Sequence, residues 1–474
     1  MRLFDWRWCV VSSIVLGTVT ANAAARPEYG GVVHVAIRAT PTSLDPADRA
    51  QADSFGRRNL TMLIFDTLLT TDASGRLQAW LATSWQASSD NRRLQLTIRR
   101  SVKFHDGTPL TAEIAATSLR AANPSWNVSA NADTVVIERD NSDPELAMEL
   151  AMARNAIGKR NSENTPSGTG PFHVVNWEPG KKLTLAAEEN CWRGRPFLDA
   201  IEIDMGKSLR DQMTALELGK ADLVEVATEQ TRQFSQNRIS EHGTKEQFSL
   251  TSSSPMELVA LLFSRDAASP DEKLLRDALA LSIDRGSIRN VLLQGGGQPT
   301  ASILPNWMSG YGFVFATDAD LPRARRASEQ MHTSPAWTVG YDGNDPMARL
   351  LAERIALNAR DAGLSLQPML AASTDLRLVR IPLASRDPWI ALAEVAELSG
   401  APTGKEGGSI EDLYAWEAVI LEMRHIIPLF HLPVSYAASA SLKGWNMRID
   451  GTWSLADAWL AAPGETLTVN MKRK

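Results

Sequence analysis

The chain has 474 residues, with 49 Lys and Arg against 55 Asp and Glu, 44% apolar residues and two cysteines. A net charge of −6 argues against nucleic acid or an anionic membrane as the partner, since both need a basic face. The length exceeds what one core accommodates, so a fully folded globule of two or three lobes is expected. At the N-terminus, Arg2 and Arg7 frame a short charged start, and an apolar run extends from Cys9 to Val19. Ala21-Asn22-Ala23 then has the small-x-small form that a signal peptidase needs. The run is too short for a membrane-spanning helix, which takes roughly 20 residues. Residues 1–23 are therefore read as a signal peptide cleaved near Ala23, and the chain as exported. Loss of Arg2, Asp5 and Arg7 moves the net charge from −6 to −7 and leaves Cys191 as the one cysteine, so no internal disulfide is expected.

Further along, Gly31 to Ile37 is rich in β-branched residues and runs into the turn-forming stretch Thr40 to Pro46, which predicts a buried strand and a loop. Gln51 to Thr70 carries Phe55, Leu60, Leu63, Ile64 and Leu68 near helical spacing. Leu94 to Ile98 alternates as a half-buried strand does, with Val102 to Phe104 as its continuation toward the turn His105-Asp106-Gly107-Thr108-Pro109, after which Thr111 caps a helix. Thr134 to Ile137 reads as a strand and Pro144 to Ala156 as a helical stretch. Two apolar runs far apart, Leu258 to Ser264 and Ile426 to Val434, suit crossovers between lobes. Trp337 to Tyr341 reads as a strand and Met347 to Ala362 as an amphipathic helix ended by Gly363.

Four blocks carry a resemblance: Leu81 to Leu119 with VKFHDGTPLTAE at Val102 to Glu113, Gly168 to Val226 with GTGPF and NCWRGRPFLDAIEI, Leu274 to Pro305, and Ile426 to Trp459. In order and spacing they resemble family 5 of the bacterial extracellular solute-binding proteins, which serve peptide, nickel and oligosaccharide transporters. The resemblance implies an α/β fold of the two-lobed periplasmic binding protein type (type II), with mixed sheets, flanking helices and a hinge. Lobe I would comprise 24–255 plus 429–474, with a shortened subdomain near 120–165, and lobe II would be the inserted 256–428. It also implies a periplasmic protein, expected as a monomer, that captures a small, peptide-like molecule between the lobes and delivers it to the permease subunits of an ABC transporter.

Ligand contacts in relatives come from the loop after the first strand, here Thr40, Pro41, Thr42 and Ser43, and from the second lobe near an Asp-Pro motif, here Asp387-Pro388 followed by Trp389. The motif's upstream Asp-Tyr is missing. Asp387 and Arg380 would pair with an amine and a carboxylate. Trp307 and Phe263 complete the candidates, with plain core roles as the competing reading for the aromatic residues.

No catalytic residues, metal ligands or cofactor are expected. The histidines are scattered, no HExxH, CxxC or GxSxG pattern occurs, and His425 and His431 stand six apart with Pro428 between them. HDGTP reads as a turn that sets the fold, Asp284 and Arg285 as a helix-end ion pair or cap, and Gly295-Gly296-Gly297 as a helix C-cap and loop, since no Lys and Ser/Thr follow. An exported hydrolase and a binding protein that serves a sensor or acts as a chaperone are the rival functions.

Overall fold

The computed structural model describes residues 27–160, 166–232, 248–312, 314–330, 336–370, 373–383, 385–402, 404 and 407–461. The signal peptide expected at 1–23 lies outside these residues.

The dominant element is an 11-stranded mixed sheet. Its strands in chain order are β1 (Val32–Ala36), β2 (Phe172–Glu178), β3 (Lys182–Ala187), β4 (Ala200–Asp204), β5 (Leu223–Glu225), β6 (Phe248–Phe263), β7 (Gln298–Pro299), β8 (Ala336–Gly340), β9 (Ser365–Met369), β10 (Leu376–Pro382) and β11 (Ile426–Ser439). The spatial order is β2-β3-β4-β1-β5-β11-β6-β10-β8-β9, with β7 added to β11. β1 lies parallel to β4 and β5, β8 lies parallel to β9 and β10, and β6 and β11 run antiparallel between the two groups. These two strands are long, at 16 and 14 residues, and each serves both ends of the sheet. At one end Phe248 pairs with Ser439 beside β5; at the other Leu262 pairs with Ile426 beside β10. Between the ends the register shifts on both sides of Pro255, which faces Pro433.

The near-continuous apolar run in β6 follows from burial on both faces. Val259, Leu261 and Phe263 enter one core with the helices Pro270–Ser282 and Pro346–Asp361. Leu258, Ala260 and Leu262 enter another with the helices Pro388–Leu398 and Ile410–Glu422. On the other side of the sheet, Val33, Val35 and Ile37 pack with Leu60, Ile64, Phe172 and Leu185. A separate four-stranded sheet holds Ala82–Ala87, Arg93–Ile98, Thr134–Glu138 and Asn127–Asn131 in spatial order, with the helix Ala112–Ala122 on its core.

The strands expected at Leu94 to Ile98 and Thr134 to Ile137 are found as Arg93–Ile98 and Thr134–Glu138, and the expected cap Thr111 accepts through Oγ1 from Ile114 N at 3.3 Å. Others differ. The helix expected in 51–70 is limited to Phe55–Ile64, because Ser54 caps it and Phe65 turns extended while the last apolar residues feed a strand at Leu69–Thr71. Val102–Phe104 contributes only an isolated bridge, Lys103 to Pro109. Pro144 to Ala156 holds one helical turn, Leu146–Glu149, and a 3-10 turn, Ala153–Asn155. Asp284 caps its helix by accepting from Ser287 N at 2.9 Å, whereas Arg285 does not pair with it: buried at 3% exposure, Arg285 donates to the Pro428 carbonyl at 2.9 Å.

Two of the sequence blocks owe their form to one junction. Asp66, 1% exposed, accepts from Trp80 Nε1 at 2.8 Å, Thr169 Oγ1 at 2.9 Å and Trp192 Nε1 at 3.0 Å, and the Arg193 guanidinium lies 4.7 Å over the Trp80 ring. His105 donates through Nε2 to the Gly170 carbonyl at 3.0 Å, and its amide donates to Gly168 O at 2.9 Å. HDGTP, GTGPF and CWRGRP thus lock one another.

Candidate functional site

Parallel strands in an α/β sheet leave their carboxyl ends open, and ligands gather there. β1 and β5 end side by side, and Arg38, just beyond β1, donates its amide to Glu225 Oε2 at 2.7 Å. Gln212, fully buried on the Leu209–Glu217 helix, fixes Glu225 from behind: Glu225 N donates to Gln212 Oε1 at 2.9 Å and Gln212 Nε2 returns a bond to Glu225 Oε2 at 3.1 Å. Glu229 follows in the turn Thr228–Gln230. From the opposite side come Glu257 on β6, Arg380 on β10 and Asp345 before the helix Pro346–Asp361.

Asp345 divides its two oxygens. Oδ1 caps the helix, accepting from Met347 N at 3.0 Å and Ala348 N at 3.3 Å. Oδ2 takes Arg380 Nε at 2.8 Å from its own side and Arg38 Nη1 at 3.3 Å from across. Arg380 Nη1 completes the chain at 2.8 Å from Glu257. Burial alone would weaken the Arg380 charge, but Glu257 and Asp345 overcome it and raise its pKa above the ordinary value. Burial pushes the Glu229 carboxyl above its ordinary range, with Asp345 adding to the shift and Arg380 and Arg38 opposing it. These groups enclose a cavity of about 70 Å³ whose apolar walls include Leu209, Val226, Met347 and Val434.

Segments far apart in the chain also touch away from the cavity. Arg154 pairs with Glu149 and reaches Glu394 on the Pro388–Leu398 helix. Met152 packs on Ile390. Arg58 Nη2 donates to Pro382 O at 3.1 Å and Arg386 Nη1 to Ser74 O at 3.1 Å.

Of the candidates read from the sequence, Arg380 lines the cavity. Thr40, Pro41, Thr42 and Ser43 form the loop just beyond Arg38, where Thr42 exchanges hydrogen bonds with Gln51 at 2.9 and 2.8 Å. Phe263 stands edge-on to Trp337, with the Arg276 guanidinium 3.9 Å over its ring, inside a core. Trp307 donates to the Pro255 carbonyl at 2.8 Å and carries the Arg386 guanidinium 5.3 Å over its ring. Asp387 caps the Pro388–Leu398 helix, accepting from Trp389 N at 2.9 Å, and Trp389 stacks on Trp416 at 6.0 Å. Arg38, Glu225, Glu229, Glu257 and Asp345 escaped the sequence reading. The strand read at Gly31 to Ile37 puts Arg38 at its end, and Asp345-Pro346 is a helix-cap signature, but only the fold brings these residues together. A second cavity, of about 350 Å³, lies within one side of the molecule between the 45–47 loop, the Ala112–Ala122 helix and residues 158–160. Among the described residues there is no metal-binding group of three or more His, Cys, Asp or Glu.

Comparison with known proteins gives a consistent picture. Residues 76–377 match the family model described as bacterial extracellular solute-binding proteins, family 5 middle. The chain is 27% identical over 251 residues to the nickel-binding protein NikA of Staphylococcus aureus, covering 50% of this chain and 49% of that protein. It is 25% identical over 262 residues to the nickel-binding periplasmic protein of Escherichia coli, covering 49% and 48%. The match thus spans about half the length of these curated relatives. In fold, the chain superposes with a TM-score of 0.77 on the dipeptide-binding protein of Pseudoalteromonas sp. SM9913 in complex with Met-Leu, at 16% identity and covering 91% of this chain and 100% of that one. These relatives are named as binding proteins, and the Escherichia coli one as periplasmic. The fold is therefore the two-lobed periplasmic binding protein architecture, with mixed sheets and flanking helices.

Proposed function

Because the chain belongs to family 5 of the bacterial extracellular solute-binding proteins, we propose that it captures a small solute between its lobes and hands it to the permease of an ABC transporter, without catalysing a reaction. The observation that carries this reading is the charged cleft built by Arg38 and Glu225 on one side and Asp345, Arg380 and Glu257 on the other. Its members come from segments up to about 340 residues apart in the chain, and they meet only where the carboxyl ends of β1 and β5 face the Pro346–Asp361 helix. Lobe I comprises 24–255 and 429–474 and lobe II 256–428, a division supported by β6 and β11 serving both ends of the sheet. The small-x-small site at Ala21 to Ala23 supports export to the periplasm, where the protein acts as a monomer. Nickel complexes and short peptides, the ligands named for its relatives, define the first panel of solutes.

A ligand that binds only the folded state raises the melting temperature by mass action. Thermal unfolding with dipeptides, amines, sugars, nickel–histidine and host extracts is expected to give a shift of several degrees for one class. A flat response to all of them, or turnover of any compound, overturns the reading.

A further inference from the structure

We propose that the cleft selects a small aliphatic amine, a ligand carrying an ammonium group and no carboxylate. This rests on the reading of the cleft as the binding site.

Both guanidiniums already serve carboxylates of the protein. Arg380 spends Nη1 on Glu257 and Nε on Asp345, each at 2.8 Å, and Arg38 spends Nη1 on Asp345. The Asp345 side chain is 4% exposed and already neutralises part of both guanidinium charges, so an entering carboxylate would add a further negative charge to a cleft whose two cations are matched by buried acids. Recognition of a carboxylate is therefore disfavoured from the start.

The acidic side is in the opposite condition. Four carboxylates face two guanidiniums around the cavity, which leaves negative charge in excess. Glu225 receives both of its side-chain bonds on Oε2, and the Glu229 carboxylate makes no hydrogen bond or ion pair with another side chain among the described residues. An ammonium group has three donors and no acceptor, and so suits these oxygens. Size points the same way. A water-sized position takes roughly 10–15 Å³, so a cavity of about 70 Å³ holds on the order of five or six heavy atoms, enough for a diamine chain along Leu209 and Met347.

The test is calorimetric titration of the full chain with putrescine and with ornithine, which carries the same two amines plus one carboxylate. Putrescine is expected to bind at least tenfold more tightly than ornithine, and Glu229→Gln to weaken putrescine at least tenfold. Ornithine binding as tightly as putrescine, or a Glu229→Gln variant with wild-type affinity, overturns the inference. Should the variant misfold, the two ligands still decide the matter on the wild type alone. Binding of Met-Leu or nickel–histidine with neither amine sinks the amine inference and leaves the cleft reading standing. Silence across all four ligands and host extracts sinks both.

Discussion

The Oδ2 atom of Asp345 lies 3.3 Å from Nη1 of Arg38, a bond that joins the loop after β1 to a helix that begins more than 300 residues later. The same oxygen holds Arg380, while Oδ1 caps the helix. Substitution separates these roles. Asp345→Asn keeps a capping oxygen and removes the charge, with an expected loss of about 2 kcal/mol. Asp345→Ala loses the cap as well, adding about 1 kcal/mol. Urea unfolding of the two variants measures the difference, and equal losses would refute the division of labour between the oxygens.

Glycines in the sequence blocks are expected to differ sharply in tolerance. A Cβ on Gly168 would stand 2.0 Å from the Ile64 carbonyl oxygen, a backbone atom that cannot yield locally. Gly168→Ala is expected to cost at least about 3 kcal/mol and to lower soluble yield. Gly107 has a φ of +81°, but a Cβ added there would meet nothing within 4 Å, so Gly107→Ala carries only the backbone strain, about 1 kcal/mol. Melting temperatures of the two variants rank them.

His431 gives the protein a specific acid sensitivity. Burial holds its imidazole down to about 4, partly offset by the bond from Nε2 to the Ile303 carbonyl at 2.9 Å. The unfolded chain takes up this proton near 6.5 and the folded one only near 4. Stability therefore falls as pH drops through that window, by up to about 3 kcal/mol. His431→Gln is expected to flatten the slope of unfolding free energy between pH 6.5 and 4; an unchanged slope would assign the acid sensitivity elsewhere.

Glu417 behaves oppositely. It is fully buried and accepts from Ser302 Oγ at 2.8 Å, Ile303 N at 2.5 Å, Leu304 N at 2.9 Å and the Tyr311 hydroxyl. Burial nevertheless raises its pKa, with these donors opposing. The folded state therefore retains the proton longer than the unfolded one, and stability declines as pH rises above the ordinary carboxylate value. Glu417→Gln is expected to remove that decline at little cost near neutrality. Glu417→Ala takes the acceptor away from all four donors and loses about 3 kcal/mol or more. Denaturation at pH 5 and pH 8 distinguishes the pair.

Much of the architecture was legible because it follows from local rules: alternation at Leu94 to Ile98, the Thr111 cap, and the two apolar runs that pair with each other as strands. The helix expected in 144–156 failed because Met152 and Ala156 turn extended, so the stretch breaks into single turns. Of the residues around the cavity, the sequence reading singled out Arg380 and passed over Arg38, Glu225, Glu229, Glu257 and Asp345. A cap signature at Asp345 announces where one oxygen goes. Where the other points depends on a strand end far away in sequence, which no spacing rule encodes. Asp387, read from its Asp-Pro motif as a ligand contact, also has a local role, accepting from the amide of Trp389.

The facing pair Pro255 and Pro433 in β6 and β11 bears on how the lobes move. Neither residue has an amide hydrogen, so the ladder between the two longest strands contains a rung with no donor from either side. Torsion concentrated there breaks no main-chain bond. Amide exchange along β6 and β11 should then show two protected islands separated by a soft point, and opening of the cleft would pivot on it while Leu258 to Leu262 and Phe248 to Ser252 stay hydrogen-bonded to their partners.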